Sequence, residues 1–409
     1  MTRLGDVSDM LVGFAFKSAD FLDSDADGVR ILRGDNVQQG YIRWGDKTKK
    51  WPHVQCDGLE RYQLAEDDVI LAMDRPIVGD GLKMAWIKPE DLPALLVQRV
   101  CRLRGKQGVA LTNFIRYVLA AADFSAHIHR ITTGANIPHI SGKDIAAYEF
   151  ELPDLDDQAR IVSCLFAYDD LIATNQRRIA LLEDAARRLY REWFVHLRFP
   201  GHESVPVNDG VPEGWCKKSM TSVADFINGF AFKPEHLGES GLPIVKIPEL
   251  RSGITSKTPY NLGNIVPQRN HINTGDILFS WSATLLVNEW SEGPALLNQH
   301  LFKVIPHREL HKRLVRFAVE AAIPELTGHT VGATMQHIRR SALDNHLILV
   351  PDDTTASAFA AQANPMMDSV ANLNAQNREL AKARDLLLPK LMSGQLDVSG
   401  ITLPDEVAS

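Results

Sequence analysis

Ile161, Leu165, Tyr168, Ile172, Asn175, Ile179, Leu182, Ala186, Leu189 and Trp193 follow one another in alternating steps of four and three, and Asn175 is the one polar residue among them. That 3.5-residue period is the seam of a coiled coil. At about 1.5 Å per residue, the helix it predicts is roughly 50 Å long. A weaker seam follows late in the chain, at Phe359, Ala363, Met366, Val370, Leu373, Asn377, Leu380, Arg384, Leu387 and Leu391. Asn175 and Asn377 occupy matching places, where a polar residue lowers stability and fixes register or partner. The two helices are expected to pair antiparallel as a spacer; the alternative is that each packs on its own neighbouring lobe. Pro365 lies inside the second pattern and is expected to kink that helix or to start it, leaving it shorter than the first.

Elsewhere the pattern switches to alternating and β-branched segments. Strands are expected over 69–73, 83–87, 97–103 and 147–152, and again over 277–280, 297–305 and 346–350. Between them one helix is expected over 112–128, with Thr112 as N-cap, and one over 308–322. The predicted class is α+β, with strand-rich lobes over 1–152 and 201–350, helical spacers over 153–200 and 351–396, and a tail over 397–409. Each lobe has the size of an ordinary single domain.

The lobes are one design written twice. Gly13-Phe14-Ala15-Phe16-Lys17 returns unchanged as Gly229-Phe230-Ala231-Phe232-Lys233, and Pro93-Ala94-Leu95-Leu96-Val97-Gln98 as Pro294-Ala295-Leu296-Leu297-Asn298-Gln299. Asp68-Val69-Ile70-Leu71 answers to Asp276-Ile277-Leu278, and Gly134-Ala135 with His139-Ile140 to Gly332-Ala333 with His337-Ile338. The order is kept while the offset drifts, as happens when a duplicated fold keeps its strands and changes its loops.

Bulk properties narrow the classes. With 45% hydrophobic and 23% charged residues over 409 positions, the chain lies in the globular range. It has no apolar run long enough to span a membrane and no secretory leader pattern, so a cytoplasmic protein is expected. Its four cysteines form no Cys-x-x-Cys pair, which argues for reduced structural thiols rather than a zinc site or a disulfide framework. The net charge is −7, with acid heaviest in the tail and the second lobe close to neutral, so nucleic-acid contacts would have to come from local basic clusters. No phosphate-binding Gly-x-x-x-x-Gly-Lys loop, no Gly-x-Gly-x-x-Gly loop and no Asn-Pro-Pro-aromatic motif occurs, so no catalytic residues are expected. His127 and His129 suit helix capping better than metal binding, and no metal site is expected.

Several phrases sit on this duplicated scaffold in a fixed order. Leu152-Pro153-Asp154-Leu155 with Gln158 enters the first helix, and Leu189-Tyr190-Arg191-Glu192-Trp193-Phe194 with Arg198-Phe199-Pro200-Gly201 leaves it. Val211-Pro212-Glu213-Gly214-Trp215 opens the second lobe, and Leu386-Leu387-Leu388-Pro389-Lys390-Leu391-Met392-Ser393-Gly394 closes the second helix. Across nearly its whole length the chain resembles the specificity subunit of type I DNA restriction-modification systems. The resemblance implies two target-recognition lobes separated by antiparallel coiled-coil helices, with double-stranded DNA read as two half-sites, one per lobe. It also implies docking of methyltransferase (modification) subunits and restriction (motor and nuclease) subunits along the helices. This chain would bind no cofactor; S-adenosylmethionine, ATP and Mg would belong to those partners. The spacer and docking residues are then Ile161, Leu165, Ile172, Asn175, Ile179, Leu182, Leu189, Trp193, Val370, Leu373, Asn377, Leu380, Leu387 and Leu391. Two departures stand out. The first lobe begins at once at Arg3-Leu4-Gly5-Asp6, and Ala356 takes the place in the second spacer that Gln158 has in the first. A non-catalytic protein adaptor or anti-restriction scaffold with duplicated lobes is the competing reading.

Phosphate contacts position a protein on DNA and base-edge contacts specify the sequence. The richest mixture of amides, cations and aromatics in lobe one is Gln38, Gln39, Arg43, Trp44, Lys47, Lys49 and Lys50. Its counterpart in lobe two comprises Lys246, Arg251, Ser256 and Lys257. A second candidate is the Gly-Ala loop, with Thr133, Gly134 and Asn136 in one lobe and Thr330, Gly332 and Thr334 in the other, followed by Arg339. Small residues there would let backbone amides approach phosphate.

Overall fold

The computed structural model describes residues 1–78, 81–132, 138–328, 338 and 340–401. It forms two compact units, one made of Met1–Asp170 with Leu380–Ser409 and the other of Leu171–Glu379. Both long helices are therefore divided between the units.

In the first unit, β1 (Thr2–Arg3), β2 (Ser8–Val12), β3 (Val29–Leu32), β4 (Lys50–Trp51), β5 (Val69–Ala72), β6 (Met84–Trp86), β7 (Ala94–Leu96) and β8 (Val100–Gly105) come first. They are followed by α1 (Thr112–Ala120), α2 (Ala122–Thr132), β9 (Glu149–Phe150) and the start of α3 (Leu155–Tyr190). An antiparallel sheet has the order β2-β8-β5-β6, a smaller mixed sheet the order β4-β3-β7, and β1 pairs with β9. All of β5 is buried, and α1 covers the larger sheet with Phe114, Ile115 and Val118.

The second unit repeats this plan with β10 (Cys216–Ser219), β11 (Ala224–Asn228), β12 (Leu242–Val245), β13 (Tyr260–Asn261), β14 (His271–Ile272), β15 (Ile277–Ser280), β16 (Leu286–Glu289), β17 (Ala295–Leu297) and β18 (Leu301–Pro306). Then come α4 (Lys312–Gly328), β19 (Leu347–Val350) and α5 (Asp353–Met392). Its sheets run β11-β18-β15-β16 and β13-β12-β17-β14, with β10 paired to β19. Strand for strand the order is that of the first unit, with β14 added at the edge of the smaller sheet. In both, a parallel pair joins the strand after the Gly-Phe-Ala-Phe-Lys segment to the Ala-Leu-Leu strand.

The repeated glycine has a steric cause. A Cβ on Gly13 would strike the carbonyl of Val97, and one on Gly229 that of Asn298. The Phe14 and Phe230 backbones then accept from Gln98 and Gln299 N–H at 2.8 and 3.0 Å, and the paired phenylalanines meet edge to face at 5.0 Å in both lobes. The same turn explains a difference from the expected continuous strand over 97–103. Arg99 adopts φ 66° and separates β7 from β8, and the expected strand over 297–305 is likewise broken into β17 and β18.

Three further expectations are corrected. The helix expected over 112–128 is two helices, because Ala121 turns to ψ 147° between them, and its N-cap is Leu111, with Thr112 Oγ1 accepting from Gly105 N–H at 3.0 Å. The second-lobe helix begins and ends later than expected, running through Pro324 to Gly328. Pro365 neither starts nor shortens α5, which at 40 residues exceeds the 36 of α3. Pro365 and Ala361 are both exposed, so the carbonyl deprived of its N–H partner can be met by water.

Helix pairing is antiparallel. Within the second unit Asn175 Nδ2 donates to Asn377 Oδ1 at 3.0 Å, Asn377 Nδ2 to Ile172 O at 3.4 Å, and Tyr190 at the end of α3 and Trp193 just beyond it lie against Phe359 near the start of α5. Within the first unit Ile161 and Leu165 share a core with Leu388 and Leu391 near the end of α5. Asn175 is only 1% exposed, so its amide depends on Asn377. Asn377→Leu alone is expected to cost about 1–3 kcal/mol in urea unfolding by stranding that amide. The double variant with Asn175→Leu should recover most of the loss.

Candidate nucleic-acid interface

The buried charges of the two lobes converge on the spacer helices. On α1, Arg116 is 3% exposed, lies over the Trp86 ring at 3.3 Å and is paired to Asp169 of α3. Tyr117 Oη donates to the same carboxylate at 2.8 Å, and Arg384 of α5 reaches its other oxygen at 2.7 Å. Burial pushes the Arg116 guanidinium down from its ordinary value, against the pull of Tyr117 and Asp169. Burial also opposes the charge on Arg384, yet its bonds to Asp169 and Asp385 hold it above the ordinary range.

Lobe two places Arg316 of α4 at the same point, 2% exposed and paired at 2.8 Å to Glu320. Strand register makes Glu289 the counterpart of Trp86, since Val69 faces Trp86 and Ile277 faces Glu289. Where lobe one sets an indole under its arginine, lobe two sets a carboxylate, which pairs with Arg313. Arg313 also binds Asp368 of α5 at 2.8 Å, and Glu320 receives Arg187 of α3 at 2.9 Å. Burial raises the Glu183 carboxyl on α3, against Arg316 and Arg187.

Sequence reasoning does not single out these arginines. The signal that could have found them is the matched pair of runs Phe114-Ile115-Arg116-Tyr117-Val118-Leu119 and Leu314-Val315-Arg316-Phe317-Ala318-Val319, each an arginine inside an apolar helix face. Gln158 has a structural task as well. It is fully buried, accepts from Leu111 N–H at 2.9 Å and donates to Val109 O and Pro153 O at 3.1 and 2.9 Å. At Ala356 the second unit instead ties its helix start by a two-bond pair between Arg308 and Asp353, and by Trp215 Nε1 donating to Asp352 at 3.2 Å.

The predicted DNA-reading residues fall into distinct environments. Gln38 Nε2 donates to Asp35 O and Val37 O at 3.0 and 3.1 Å, and Gln39 Nε2 donates to Val78 O. Trp44 Nε1 donates to Asp91 at 2.7 Å, Lys49 pairs with Asp23, and Lys50 donates to Ala26 O at 2.7 Å. Arg43 and Lys47 are exposed, and among the described residues neither side chain has a hydrogen-bonding or ion-pair partner. In lobe two Arg251, Ser256 and Lys257 are exposed beside the left-handed Gly253, whereas Lys246 is half-buried before the short helix Ile247–Ser252. Thr133, Gly134, Asn136, Thr330, Gly332, Thr334 and Arg339 lie outside the described residues.

Of the spacer residues, Ile161, Leu165, Asn175, Trp193, Val370 and Leu391 are buried, and Ile172, Ile179, Leu182, Leu189, Leu373, Asn377, Leu380 and Leu387 are half-buried. Met367 rather than Met366 is the buried methionine of the second seam. Among the described residues no group of three or more His, Cys, Asp or Glu is placed to hold a metal, and no helix is long and apolar enough to cross a membrane.

Two outcomes test this ion-pair architecture. Asp169→Asn removes the carboxylate that Arg116 and Arg384 share, leaving Arg116 without an ion-pair partner among the described residues, and should cost about 3–5 kcal/mol in denaturant unfolding. Glu183→Gln should act the other way. Because the folded carboxyl is raised, its ionisation opposes folding as pH climbs through the ordinary glutamate range, so the variant should melt higher than wild type at pH 7–8 and match it near pH 4.

Comparison with known proteins agrees with this duplicated plan. The type I restriction modification DNA specificity domain matches residues 1–184 and 212–358. The EcoAI type I restriction enzyme specificity subunit of Escherichia coli is 36% identical over 174 residues, covering 42% of this chain but only 28% of that protein. The MjaIX specificity subunit of Methanocaldococcus jannaschii is 24% identical over 317 residues, covering 72% of this chain and 71% of the relative. The crystal structure of a type I restriction-modification system S subunit from M. genitalium shares the fold, with a TM-score of 0.54 over 95% of each chain at 13% identity. With both lobes matched, the chain belongs to the type I restriction modification DNA specificity family.

Proposed function

We propose that this chain reads an interrupted double-stranded DNA target, one half-site through each lobe, and carries methyltransferase and restriction subunits on its paired helices. The observation that carries the reading is a lobe built twice on one strand order, with the same buried arginine turned to the spacer and different residues on its loops. Scaffold identity keeps two readers equivalent in construction, while loop divergence lets them recognise different sequences. Leu181 and Leu386, 70% and 68% exposed on the spacer helices, suit the docking of partner subunits. The chain itself is proposed to be non-catalytic and to act in the cytoplasm. S-adenosylmethionine is assigned to the methyltransferase subunits, and ATP with Mg to the restriction subunits.

Mapping modified bases across the genome of cells with and without the gene tests this reading. A two-part motif with unread base pairs between its halves should appear only with the gene, and replacing residues 212–350 by the second lobe of another family member should change one half alone. An unbroken motif, or no motif in cells that hold the methyltransferase partner, would reject it; the latter is what a protein adaptor would give.

A further inference from the structure

Lobe one contains a charge that its fold does not need. Lys83, just before β6, is 9% exposed, and among the described residues its ammonium has no hydrogen-bonding or ion-pair partner. It faces a cleft of about 520 Å³ that Arg33, Arg75, Arg99, Gln98 and Ser18 also line. Among the described residues, the two acids there do not balance these cations. Asp74 is occupied by Arg99 and His139, both at 2.6 Å, and Asp35 stands 3.9 Å from Arg33. Burial pushes the Lys83 ammonium down, Asp35 and Asp74 pull it up, and Arg43 and Arg75 press it down again.

Strand register supplies a control within the same chain. Leu71 faces Met84 and Phe279 faces Val287, so Leu286 of lobe two occupies the place of Lys83. The scaffold accepts leucine there. Arg75 sits in the left-handed region at φ 45°, its N–H held by Pro138 O at 2.8 Å; the counterpart Ala283 has φ 57° and no charge. A strained backbone thus presents an arginine beside a buried lysine in lobe one only.

A lysine only 9% exposed, whose ammonium opens into a cleft already lined by arginines, calls for a full anion, since a neutral base edge offers too little to offset its partial desolvation. We propose that this cleft holds a backbone phosphate of the bound duplex, with Lys83 and Arg75 as its charge partners, so that lobe one is anchored at a point where lobe two is not. The inference rests on the DNA-reading function proposed above and assigns its phosphate contact to this cleft rather than to the 38–50 segment.

The test uses the chain in complex with its methyltransferase subunits, with fluorescence anisotropy on target and random duplexes over a range of KCl. Lys83→Leu should weaken both duplexes by the same factor, about tenfold, and flatten the dependence of log K on log salt by about one. Arg75→Gln, an exposed change, should flatten it similarly, and the modification motif should stay the same for both. The melting midpoint of Lys83→Leu should equal or exceed that of wild type, which separates lost contact from lost fold. Unchanged affinity and slope would overturn the proposal, as would a loss confined to the target duplex, which marks a base reader. Inorganic phosphate raising the melting midpoint of wild type but not of Lys83→Leu, with DNA affinity unaltered, would make this a free-anion site and also overturn it. If wild type itself binds no duplex and yields no motif, the DNA-reading function fails; if wild type binds and the variants match it, only this assignment fails.

Discussion

Each lobe turns a buried arginine, Arg116 or Arg316, toward the spacer helices, and the packing within each unit follows from how that charge is met. A guanidinium at 3% or 2% exposure is tolerated only with fixed acidic or aromatic neighbours. Lobe one meets Arg116 with Trp86 and with Asp169, which in turn is shared with Arg384 from the other helix. Lobe two meets Arg316 with Glu320 and surrounds it with Arg187, Arg313 and Asp368, again drawing on both helices. Neither helix completes a unit alone, since each unit takes its cluster from the start of one and the end of the other. An antiparallel pair is the arrangement that allows this.

Duplication also separates what the scaffold requires from what a lobe is free to vary. The glycine that lets one backbone pass over the next carbonyl is kept, as are the edge-to-face phenylalanines and the buried Ala-Leu-Leu strand. The residue under the arginine changes from Trp86 to Glu289, and the residue three places before it from Lys83 to Leu286, at matched positions of the two lobes. On the proposed reading of two half-sites, function belongs with the second class.

Much of this plan is legible in the amino-acid order. The 3.5-residue seam marks both helices, the matched asparagines mark their contact, and the repeated pentapeptide marks equivalent turns in the two lobes. What escapes has local physical causes. The strand break at Arg99 depends on a left-handed residue that no glycine signals, and the helix break at Ala121 on a single extended ψ. Pro365 leaves α5 unbroken because its lost hydrogen bond falls on an exposed face. Gln39, Trp44, Lys49 and Lys50 look like free reading groups by composition, yet their side chains close hydrogen bonds and an ion pair within lobe one. Lys83 and the paired arginines are hidden for the opposite reason, as charges inside runs that read as core.

The central claim is that each unit owns one end of each helix, and hydrogen exchange on the full chain tests it most directly. A core truncation confined to lobe one, Phe114→Ala, should raise exchange in 155–170 together with 380–392 and leave 353–379 at its wild-type rate. Faster exchange along all of 155–190, with all of 353–392 unchanged, would show each helix belonging to the lobe that precedes it and would contradict the account.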